Sequence, residues 1–126
     1  MRAPITLAIS LLASSANAVT TGNQIHGMCQ SDRTAVLAYL AGWMDRQSLD
    51  VGIANSLPDK LIKEGRQPPD LSVLMAFTGA ICIPPNVERN QIVDLVCKAL
   101  ADHPENRNKG MNAIILPALH DAWPCG

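Results

Sequence analysis

The stretch S-D-R-T-A-V-L-A-Y-L-A-G-W-M-D, residues 31–45, decides the fold. Val36, Leu37, Leu40, Trp43 and Met44 recur at intervals of three and four, the period of an α-helix with one apolar stripe rather than the alternation of a strand. Ser31 stands where an N-cap belongs, and Asp32 in the first turn meets the positive end of the helix dipole. Gly42 interrupts the stripe. A glycine inside a helix costs about 1 kcal/mol against alanine, so its expected use is close approach by another backbone.

The segments on either side repeat the helical period. Ahead of it, Gly22, Ile25, Met28 and Cys29 predict a short helix capped by Thr21. Behind it, Leu57-Pro58-Asp59 is expected to break the pattern, with one or two turns over 59–64 and a second break at Gln67-Pro68-Pro69. Residues 71–83, L-S-V-L-M-A-F-T-G-A-I-C-I, are almost continuously apolar. Periodicity does not separate a buried strand from a buried helix there; the helical neighbours and the lack of a second strand candidate favour a helix. Glu88 as N-cap with Gln91 three residues on predicts the next helix, with Ile92, Leu95, Val96 and Ala99 inward and His103-Pro104 at its end. Asp94 and Lys98, four apart, read as a surface ion pair. A last helix carries Met111, Ile114, Ile115, Ala118, Leu119 and Ala122 on one face, with Pro117 expected to kink it. The fold class is therefore all-α: a compact bundle of four to five short helices.

Met1-Arg2, the apolar run Ile5 to Ala13 and the small-x-small sequence Ala16-Asn17-Ala18 form the pattern of a cleaved signal peptide over 1–18. Residues 19–126 then form a single exported domain. The four cysteines, Cys29, Cys82, Cys97 and Cys125, are an even set in an exported chain and read as two disulfides, for which three pairings are possible. No C-x-x-C pair or paired histidine spacing suggests a metal, and no cofactor motif is present. The formal net charge of −1 offers no basic stripe for nucleic acid, and nothing after the leader has the length of a membrane span. No nucleophile, base and orienting group can be assembled from the sequence, so catalysis is not expected. A rigid domain without reactive groups works by binding.

The order Cys82-Ile83-Pro84-Pro85, Val87, Gln91-Ile92, Leu100, His103-Pro104-Glu105, Ala118-Leu119 and Trp123-Pro124-Cys125 resembles the Rap/Tai family, immunity proteins that neutralise type VI secretion amidase effectors. That family reads approximately F-C-I-P-x-G-V-T-x-x-Q, L-x-x-H-P-E and A-L-x-x-x-F-P-C. Gly22-Asn23 with Cys29, and Tyr39-Leu40-Ala41-Gly42 with Asp45, resemble its first half. Val36 stands where the family has a cysteine, and Cys97 is additional. The resemblance thus implies a rerouted pairing, Cys82 with Cys97 and Cys29 with Cys125. It also implies a periplasmic homodimer that binds a peptidoglycan amidase effector and blocks its papain-like Cys–His site. Two polar connections are candidates for that contact: Glu64, Arg66, Gln67 and Asp70 in one, and Glu105, Asn106, Arg107, Asn108 and Lys109 in the other. The alternative class is a periplasmic acid-stress chaperone, against which stand two disulfides resisting opening and the lack of an evident acid trigger.

Overall fold

A computed structural model describes residues 19–70, 72–73 and 81–125. The expected leader over 1–18 lies outside these residues, as does most of the apolar stretch 71–83. Four α-helices are described: α1 (Gly22–Ser31), α2 (Arg33–Lys63), α3 (Arg89–Asp102) and α4 (Asn112–Ala122). A 3-10 turn, Pro104–Asn106, follows α3. No strand occurs among the described residues, where one antiparallel bridge joins Thr21 to Gly110. The helical reading of 31–45 holds, and the fold class with it.

Helix α2 departs from expectation at both ends. Its N-cap is Asp32, whose carboxylate accepts the Ala35 N–H at 3.1 Å, while Ser31 is the last residue of α1. At the other end the helix does not stop at Leu57-Pro58-Asp59 but runs through Pro58 to Lys63. An interior proline removes one backbone hydrogen bond. The inward face nevertheless persists past it, with Ala54 buried and Leu57, Pro58 and Leu61 half-buried, and that continuity outweighs the local break. Gly65, at φ 70°, ends the helix: its N–H bonds to Ile62 O and the Arg66 N–H to Leu61 O, a Schellman arrangement that needs the left-handed residue a glycine supplies. Thirty-one residues at 1.5 Å each make α2 about 46 Å long.

Helix α3 is the centre of the bundle, packed against each of the other three helices. Its cap is as predicted: the Glu88 N–H donates to Gln91 Oε1 at 2.7 Å. The buried side chains of α3 are Ile92, Val93, Val96 and Leu100, clustered with Ile25 of α1, Val36 and Leu40 of α2, Met111 just ahead of α4, and Ile114, Ile115 and Leu119 of α4. Each fully buried aliphatic of this kind stabilises by about 1.5–3 kcal/mol. Trp43 Nε1 donates to Asn112 Oδ1 at 2.6 Å, tying α2 to the start of α4. Beyond Leu40 the buried residue of α2 is Ala54, which lies outside the described cluster centred on α3.

Both disulfides form, with a different pairing from that implied by resemblance. Cys29 bonds Cys97, with Cα atoms 5.8 Å apart, and Cys82 bonds Cys125, at 5.2 Å. The cause is helix packing. Cys29 lies one turn after Ile25 on α1, Cys97 follows Val96 on α3, and these two helices are in contact. Cys97 thus serves α1, and Cys82, in the irregular run 81–84, holds the tail. Trp123 packs against the core beneath that bond. The expected Asp94–Lys98 pair is also replaced: Asp94 accepts from Arg33 at the start of α2, and Lys98 bonds Asp102 one turn further on, at 2.5 Å.

Candidate partner-binding surface

The two polar connections are built differently. The first, 64–70, follows the C-terminal end of α2. Glu64 and Arg66 approach within 3.9 Å, and Gln67 is exposed. Asp70 accepts from the Ser72 hydroxyl at 2.7 Å and from its backbone N–H at 2.8 Å. These two bonds, the side-chain one first, hold the Asp70 carboxyl below its ordinary pKa. The Val73 N–H donates to Asp70 O at 3.1 Å, and residues 64–67, 69 and 70 are exposed.

The second connection, 103–110, is pinned to the body. Arg107 Nε donates to Leu100 O at 2.5 Å and its Nη2 to Ala101 O at 3.2 Å, satisfying carbonyls that the end of α3 leaves open. The Gly22 N–H donates to Lys109 O, the Asn23 N–H to Arg107 O and the Met111 N–H to Thr20 O, at 3.0, 2.7 and 2.9 Å. This seam requires Gly22: a Cβ there would lie 2.9 Å from Arg107 Cα and 2.7 Å from Ile114 Cδ1. The close backbone approach expected at Gly42 therefore occurs at Gly22, whereas a Cβ at Gly42 would meet nothing within 4 Å. Arg107 and Asn106 are engaged within the molecule, Asn106 through Oδ1, which accepts from Lys109 Nζ at 2.7 Å. Glu105 and Asn108 point outward, Glu105 paired with His103 Nδ1 at 3.0 Å. Its own backbone N–H, and then that histidine, lower the Glu105 carboxyl pKa. Asp102 is lowered by the Lys98 hydrogen bond.

Next to this pinned loop, α3 and α4 leave a groove of about 540 Å³ that sequence reasoning did not indicate. Its floor is small and apolar, Ala99, Ala113, Pro117 and Ala118, and its rim carries Lys98, His103, Lys109 and Asp121. The only signal in the sequence was the run of small residues on α4, which reads equally as core. Among the described residues no group of three His, Cys, Asp or Glu is gathered to hold a metal, and every cysteine is in a disulfide.

A model of the Rap1a immunity proteins matches residues 21–125, from the cap of α1 to the last cysteine. The chain belongs to the Rap1a immunity protein family. No curated protein and no solved structure matched it. Within this Rap1a family member, the family match spans both disulfides, the Gly22 seam and both polar connections.

Proposed function

We propose that this protein binds and inhibits a type VI secretion peptidoglycan amidase in the periplasm, as a homodimer, and so protects the producing cell. The observation that carries this reading is the family match from residue 21 to residue 125. The oxidised state of all four cysteines supports an exported location, in keeping with a leader over 1–18 and a single mature domain over 19–126. The pinned connection 103–110 supports a binding role because a loop already fixed by backbone bonds loses little conformational freedom on association. The acid-stress chaperone has no comparable support: no charged or polar residue among the described ones is fully buried, and two disulfides resist the opening a chaperone needs.

The test is capture. The oxidised chain is immobilised and exposed to secreted and periplasmic proteins of the producing strain at neutral pH and near pH 3. The expected result is one dominant protein at neutral pH, with peptidoglycan amidase activity that the chain suppresses. Many unrelated proteins held only in acid would refute the immunity reading. A captured partner without amidase activity would retain immunity but change the target.

A further inference from the structure

The outer face of α2 is apolar at its middle and charged at its ends, and no contact among the described residues uses it. Leu49 and Ile53, one turn apart and opposite the core-facing side, are 55% and 50% exposed. Gly42 and Gly52 share that face, and a Cβ at either would meet nothing within 4 Å. Each costs about 1 kcal/mol of helix stability against alanine, and no contact among the described residues accounts for them. Asp45 lies toward the start of the face, Lys60 and Lys63 toward its end. None of the three has an ion-pair partner among the described residues.

The spacing makes this face complementary to itself. At 1.5 Å per residue, Asp45 and Lys60 lie equally far, about 11 Å, on either side of the point between Gly52 and Ile53. A two-fold axis at that point sets two α2 helices antiparallel. Asp45 of one copy then falls beside Lys60 of the other, within reach of Lys63. Leu49 and Ile53 of both copies meet between these charges, and the missing Cβ atoms of Gly52 let the backbones approach. We infer that the outer face of α2 is the seam of a homodimer, in the antiparallel register centred between Gly52 and Ile53, with a second copy of this chain as its occupant. The inference rests on the homodimer reading above and assigns its location. One helix face is smaller than the roughly 800 Å² per partner of a standard interface, so the dimer dissociates on dilution.

Sedimentation equilibrium over a range of protein concentrations tests this, with circular dichroism to check that each variant keeps its helices. L49E is expected to weaken the dimer by at least about tenfold. D45K and K60D, which each set like charges across the two-fold, are expected to weaken it by about tenfold, and D45K/K60D to restore it, because the swapped charges pair again. A wild-type dimer indifferent to L49E, D45K and K60D overturns the seam while leaving the homodimer reading intact. A wild-type chain that is monomeric at every concentration overturns both. If that monomer loses capture of the amidase on L49E substitution, the face belongs to the effector instead.

Discussion

Gly22 and Arg107 carry more of the structure than their residue types announce. Gly22 lets the entry of α1 lie against Arg107 Cα, and Arg107 closes the carbonyl end of α3. In Gly22→Ala the new Cβ would press on the side-chain ends of Ile114 and Leu100 and also on the Arg107 backbone, which cannot swing aside, and overpacking of that kind costs about 1–3 kcal/mol. The expected outcome is a lower urea midpoint with an unchanged slope; Gly42→Ala, by contrast, is expected to raise the midpoint slightly, since its Cβ meets nothing and alanine is the better helix former. The sequence marked Gly42 as unusual and not Gly22; only packing shows which of the two touches another backbone. The titrating carboxylates belong at this scale too. Asp70, Asp102 and Glu105 all have lowered pKa values. A carboxyl lowered in the folded state stabilises above its unfolded pKa, and that contribution is lost as pH falls through the folded value. Through these three exposed carboxyls, thermal midpoints should decline slightly as pH falls through the ordinary carboxylate range near pH 4. A midpoint that collapses between pH 6 and pH 5 would show that these carboxyls do not set the acid limit.

At the scale of elements, the legible features were those with a local cause. The stripe from Val36 to Met44, the Thr21 cap and the Glu88–Gln91 cap each depend on residues within a turn or two, and each was readable. Pro58 was misread because a proline signals a local break, while the continuity of α2 comes from an inward face held on both sides of it. Asp94 was misread because its partner, Arg33, is 61 residues away and is brought near by the α2–α3 contact. The cysteine pairing failed for the same reason: it is a property of which helices touch. Of the candidate site, the two connections were visible as polar runs, but the groove beside the second was not, since alanines and a proline read as core until two helices are set side by side. The disulfides should differ in reactivity. Cys82 is exposed, whereas Cys29 and Cys97 are half-buried against the core. Under graded reductant with alkylation of freed thiols, Cys82 and Cys125 are expected to be labelled first. Replacing either pair by serine should cost about 4 kcal/mol in the chain-entropy model, for loops of 68 and 43 residues.

For the whole molecule, the pairing of Cys29 with Cys97 and Cys82 with Cys125 has a topological meaning, because the two loops interleave along the chain instead of nesting. The polar connections 64–70 and 103–110 are where a protease would find exposed backbone. One cut in each divides the chain into three pieces carrying Cys29, then Cys82 with Cys97, then Cys125. Interleaved bonds join the middle piece to both of the others, so the doubly nicked protein runs as one species without reductant and as three with it. Nested bonds would have freed the middle piece, and its release on non-reducing electrophoresis would contradict the pairing described. A chain cut at both of these connections thus stays covalently whole, so that proteolysis of its loops leaves every fragment tethered to the rest.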